Sequence, residues 1–180
     1  VLFLESSARA VLVLHGVLGA AVVAASTHLA VWVWKLRRGQ RQREAGARWL
    51  AAVGAVLYAL QFLAGNLLYP VYKVRVRSEY FDSPSAVSED ARARRARSLG
   101  AAAPESPPPR LERLARLFDI KEHLVALGLA LAVAAAFLVR HEREGAGGLL
   151  LCCAVGAAGC AWVGGVVGLW VASFRSVGAL

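Results

Sequence analysis

The chain reads as an all-α membrane protein: four transmembrane helices in an up-down-up-down bundle, with one long polar loop between the second and third. Three observations predict it. Of the 180 residues 58% are hydrophobic and only 18% are charged, with a mean hydropathy of +0.52. A soluble domain of this length has too little interior to hide so much apolar surface. The apolar residues gather into four runs, each long enough to cross the ~30 Å hydrocarbon core of a bilayer. Short polar turns join the first run to the second and the third to the fourth, which makes each such pair antiparallel neighbours.

The first span covers residues 10–34, which carry no formal charge and end in a belt of Trp32 and Trp34 before the basic sequence KLRRGQRQR. The second covers 49–69, and the sequence LYPVY, with Pro70 in it, reads as a helix stop at an aromatic interface. Residues 70–118 form the extramembrane loop. Within it YKVRVRSEYF alternates as a strand does, SEDARARRARS reads as a basic helix, and AAAPESPPPR as a flexible linker. The third span, 119–139, opens on the charges of Asp119, Lys121 and Glu122 and is followed by RHERE. The fourth, 145–174, has no charge and is rich in Gly, Ala and Cys. Small residues let helix backbones approach closely, so CAWVGGVVGLW, with Gly164 and Gly168, is expected to offer a surface to another helix or to lipid.

An even number of spans places both termini and the long loop on one side, and the chain forms a single transmembrane domain over 1–180. Basic residues crowd both the first turn and the long loop, so charge does not orient the bundle. The first span is too long for the core of a signal peptide. The expected location is a bacterial inner (cytoplasmic) membrane.

The net charge of +9 is carried by loops and flanks, where Lys and Arg meet headgroups, and calls for no nucleic acid. Cys152, Cys153 and Cys160 lie inside one apolar run and read as small buried hydrophobes. The sequence holds no phosphate-binding loop, nucleophile elbow, CxxC pair or CxxCH attachment motif. Any haem is therefore of the noncovalent type.

The chemistry rests on four histidines. His15 lies a few residues into the first span and His123 a few residues into the third, which runs parallel to it, so their depths match. Two axial imidazoles at one level on facing helices are what haem iron needs. Gly19 and Gly128 follow these histidines closely and suit the passage of a flat macrocycle. Arg75, Arg77, Arg116 and Lys121 lie near the same end and suit propionates. His28 is a candidate ligand for a second haem. It lies 13 residues after His15, whereas His141 lies 18 after His123. The quinol-oxidising cytochrome b subunits stack two haems on pairs of near-identical spacing, and this chain resembles them only in carrying two histidines on each of two helices. His141, inside RHERE, reads as a boundary residue satisfied by water. A hydrogen-bonded buried histidine is as good a description of His28 as a ligand.

Gln61, Asn66 and Tyr69 bring polar groups to the level of His15, where they suit orientation of an imidazole or a quinone headgroup. Asp119, Glu122, His123 and His15 also outline a weaker carboxylate and histidine metal site, which would serve a small transporter or metal-dependent enzyme. The expected function is a b-type cytochrome-like electron-transfer subunit. It holds haem b by His15 and His123, exchanges electrons with quinone or a partner protein, and sits beside other subunits in lipid. The alternative is a cofactor-free structural or assembly subunit of a larger membrane complex.

Overall fold

The computed structural model describes residues 5–99, 112–141 and 147–174. These are helical almost throughout: α1 (Ala8–Arg37), α2 (Glu44–Val71), a π-helical continuation of α2 (Tyr72–Phe81), α3 (Pro84–Leu99), α4 (Glu112–His141) and α5 (Gly147–Phe174). Four of the helices are long and apolar enough to cross a membrane: α1, α2 with its continuation, α4 from Arg116, and α5. They fit an integral membrane protein. At 1.5 Å per residue α1 is about 45 Å long, so its ends, with Arg9 at one and Lys35 and Arg37 at the other, reach past the hydrocarbon.

The turn from α1 to α2 closes through Gly39, whose φ of +89° is a left-handed conformation that glycine enters without a Cβ clash. Its amide donates to the Leu36 carbonyl (2.9 Å). Gly46 then lies directly under the Trp32 ring, where any side chain would collide with the indole. This glycine draws the start of α2 against the end of α1.

Two expectations for the segment after the second span are corrected. Pro70 does not stop the helix: α2 runs through it, and from Tyr72 the turns widen into a π-helix. Proline removes one hydrogen bond and crowds the carbonyl four residues back, and a wider turn relieves that conflict without ending the helix. YKVRVRSEYF is therefore helical and not a strand. Its alternation misleads because Tyr72, Val76 and Tyr80 also recur every four residues, and with Phe81 they form one buried face. No partner strand exists among the described residues. SEDARARRARS lies in α3, as expected of a basic helix; Val87 of α3 packs on Tyr80 and Phe81, and the Tyr80 hydroxyl donates to Asp90 (2.7 Å). The third apolar helix begins at Glu112, earlier than the expected residue 119. AAAPESPPPR and most of RHERE lie outside the described residues.

α1 packs against α2 and α5, and α4 packs against the same two helices, so the ring order is α1, α2, α4, α5. Three clusters fill the space along the axis. One joins the end of α1 and start of α2 to the end of α4 and start of α5, through Val33, Ala47, Val139 and Leu150. The middle holds Val22, Tyr58, Ala132, Ala157 and Ala161. The other end holds Ala8, Leu68, Val71, Tyr72 and Val171, with the π-helical residues and Val87 beside them.

Close approach in the middle depends on glycine. Gly128 of α4 faces the Tyr58 hydroxyl and Cys160, with no room for a Cβ. That space lets Tyr58 cross from α2 and donate to the Ala157 carbonyl of α5 (3.0 Å). Gly156 faces Leu131 and Gly164 faces Val125 along the same α4–α5 seam. The small-residue face of α5, expected to meet another protein or lipid, is thus spent inside the bundle at Gly164, while Leu169, Trp162 and Trp170 point outward. Replacing Gly128 with Val should overpack this seam and cost ~1–3 kcal/mol, and Tyr58→Phe should cost ~1 kcal/mol. Thermal unfolding in detergent checks both, with Gly128→Val the larger loss.

Candidate functional site

The four histidines divide into three and one. His28, His123 and His141 are exposed on the outside of their helices. In each, Nδ1 donates to the carbonyl four residues back: Ala24 (2.9 Å), Asp119 (2.8 Å) and Phe137 (3.0 Å). His141 also stacks on Phe137 with ring centroids 4.3 Å apart. Each of these rings thus holds its Nδ1 proton on its own helix and turns its remaining edge away from the bundle interior. His28 was expected to be buried if it was not a ligand; it faces outward instead.

His15 alone turns into the bundle. It is half-buried, and its Nε2 lies 3.3 Å from the Gln61 side-chain nitrogen of α2. With the Gln61 amide donating, Nε2 is the acceptor and Nδ1 carries the proton. Two glycines make the space: a Cβ at Gly65 would sit 3.2 Å from the His15 ring, and one at Gly19 would sit 3.3 Å from the Gln61 nitrogen. His15 Nδ1 and Gln61 Oε1 are both buried without a hydrogen-bond partner among the described residues. The Tyr72 hydroxyl is in the same condition.

Lys121 completes the group. Its ammonium lies within Coulombic reach of His15, sits over the Phe118 ring (4.7 Å) and passes Gly168 of α5, 3.5 Å from where a Cβ would lie. Phe118 in turn stacks on Tyr72, with centroids 3.7 Å apart and planes 16° from parallel. Beside this stack Arg77 donates to Asp119 (2.7 Å) and lies 3.7 Å from Asp82. The neighbourhood therefore combines a neutral donor and acceptor on His15 and Gln61, a phenol, and an ammonium with no carboxylate paired to it among the described residues. Such a set holds a polar, hydrogen-bond-accepting group at one end of an apolar bundle.

The other expected site residues are placed differently. Arg75 pairs with Glu79 (2.9 Å), so neither it nor Arg77 is an uncommitted partner for propionates, and Arg116 is exposed. Asn66 is exposed and donates to the Phe62 carbonyl of its own helix (2.8 Å), while Tyr69 packs beside the apolar cluster at that end. A haem clamped between His15 and His123 does not fit this packing. His123 faces the outer surface, the gap at Gly19 is taken by Gln61, and the gap at Gly128 by Tyr58 and Cys160. Among the described residues no three His, Cys, Asp or Glu side chains gather as a metal site, so Asp119, Glu122, His123 and His15 do not form one. Tyr72 went unnoticed in the sequence because it stood in an apparent strand, and Tyr58 because nothing marked which apolar face it occupied.

No family model, curated protein or solved structure matches this chain.

The Arg77–Asp119 pair ties the π-helical segment to the first turns of α4 across 42 residues of sequence. It is partly exposed, so its coupling energy should be modest, about 1 kcal/mol or less. A double-mutant cycle of Arg77→Ala and Asp119→Ala, read by thermal unfolding, should show the double variant scarcely worse than either single one.

Proposed function

We propose that this chain is an integral membrane electron-transfer subunit that binds the headgroup of a lipid-soluble carrier of the quinone class. Its site is the group formed by His15, Gln61, Tyr72 and Lys121. The observation that carries the reading is the set of three buried polar atoms with no partner among the described residues: His15 Nδ1, Gln61 Oε1 and the Tyr72 hydroxyl. Leaving each unmet costs ~1–3 kcal/mol, a large fraction of a membrane protein's stability, whereas a headgroup that meets them recovers that cost on binding.

A quinone presents two carbonyl oxygens on a flat ring and accepts from His15 Nδ1, Tyr72 and Lys121. The quinol's hydroxyl has Gln61 Oε1 as acceptor. Lys121 favours the form that carries electrons, because a nearby ammonium stabilises negative charge developing on the ring oxygens. A partner subunit supplies the electrons in this reading, and Asp119 and Glu122 stand at the polar end of α4 to exchange protons with water. Haem held between His15 and His123 has no place in this reading, because His123 lies on the outer face of α4.

The clusters along the axis support the finer topology as well. The starts of α1 and α4 meet the ends of α2 and α5, which is the up-down-up-down order, with α3 at the end that holds the site. The bilayer is proposed to be a bacterial inner membrane. Single cysteines at Gln42 and Ser85, both exposed, should label from opposite sides of sealed vesicles. Labelling of both from one side overturns the topology.

Titration of the purified protein with a short-chain quinone, followed by tryptophan fluorescence, tests the site. His15→Ala and Tyr72→Phe should each weaken binding roughly five- to tenfold and Lys121→Met at least tenfold, while His141→Ala should leave it unchanged. Absence of binding by the unsubstituted protein removes the reading and leaves the assembly-subunit alternative. A reducible Soret band that disappears in His15→Ala would return haem to the site.

A further inference from the structure

The opposite end of the bundle carries a different chemistry, independent of the quinone reading. Residues 35–48 contain six basic side chains and one acidic one. The acid, Glu44, is taken by Arg48 in an i,i+4 pair. Among the described residues Lys35, Arg37, Arg38 and Arg43 make no ion pair, and nor does Arg140 at the end of α4, which reaches the same level. This is, among the described residues, a concentration of cations with no acidic partner.

The cations are also positioned. The Arg38 guanidinium lies over the Trp34 ring at 4.0 Å and that of Arg43 lies 5.8 Å from the Trp32 ring centroid. Arg43 further donates through Nε to Gln40 (3.3 Å). The indoles are held in their turn: Trp32 is locked on Gly46, and the chain reverses tightly at Gly39. Trp34 and Trp49 are exposed at this level, as residues of a membrane interface are. An arginine stacked on tryptophan keeps its outer N–H groups free for a planar or tetrahedral anion, and guanidinium matches phosphate in two-point geometry.

We propose that this collar is a binding site for anionic phospholipid, with the lipid phosphodiester seated against Arg38 and Arg43 and its acyl chains running down beside Trp34 and Trp49. Lys35, Arg37 and Arg140 supply the surrounding positive field. The site selects lipids of net negative charge because a zwitterionic headgroup brings its own cation into that field. It also sets the depth of the α1–α2 hairpin, since the stacked arginines can descend no further than the phosphates they hold.

The full chain is placed in nanodiscs containing phosphatidylcholine and phosphatidylglycerol, and lipids that remain on the protein are identified by native mass spectrometry. Phosphatidylglycerol should be enriched over its share of the disc. The triple variant Arg37→Gln, Arg38→Gln, Arg43→Gln should lose that enrichment roughly tenfold or more, and high salt should reduce it in the parent. Lys73→Gln, a cation at the other end, should retain it. Equal enrichment in the parent and the triple variant overturns the proposal. So does a thermal stabilisation of the detergent-solubilised parent by inorganic phosphate equal to that by phosphatidylglycerol, which would make the collar a site for soluble phosphate.

Discussion

Between helices in hydrocarbon there is no gain from excluding water, so association rests on how closely backbones pack and on which polar groups find partners across the gap. In this bundle both conditions meet at Gly128. Its missing side chain brings α4 against Tyr58 and Cys160, and it lets the Tyr58 hydroxyl reach the Ala157 carbonyl on α5. One glycine thus joins three helices. Gly156 and Gly164 extend the same seam towards either end, each against a single aliphatic side chain.

That seam decides where polar chemistry can lie. Around Tyr58 the interior is closed largely by alanines, and the Tyr58 hydroxyl is satisfied. Towards the start of α4 His15 meets Gln61, with Gly19 and Gly65 giving space to these polar side chains, and Lys121 and Tyr72 both lie against Phe118. Glycine therefore has two uses in one fold. It tightens the middle and accommodates amide and imidazole groups at the end. The π-helical turns after Pro70 belong to the second use, because they carry Tyr72 onto Phe118 and Arg77 onto Asp119. A helix that stopped at the proline would leave α4 without either contact.

The two ends of the bundle differ in how charge is managed. At the end with the polar group, Arg75 and Arg77 are matched by Glu79, Asp82 and Asp119, and Lys121 has no ion-pair partner among the described residues. At the α1–α2 turn Arg38 and Arg43 lie on tryptophan rings and make no ion pair among the described residues. The field of a half-buried cation is less screened than that of exposed ones, which salt weakens.

The four apolar helices were legible in composition alone, because a bilayer demands some twenty uncharged residues per crossing and few soluble sequences imitate that. The bounds of α1 and α5 differ little from those expected. His15 and Gln61 were also legible, as polar residues within spans. The partner of His15 was not, since depth along an axis says nothing of rotation about it: His123 has the right level but faces outward, with Nδ1 bonded to its own helix. Lys121, two residues earlier, has the rotation that turns inward. For the same reason the sequence could mark the glycines as important without saying whether they admit a macrocycle, a neighbouring protein or Tyr58. Hydropathy is a property of a segment, whereas which side chains meet depends on the mutual rotation of four helices, and close packing at a few small residues determines that only in the folded bundle.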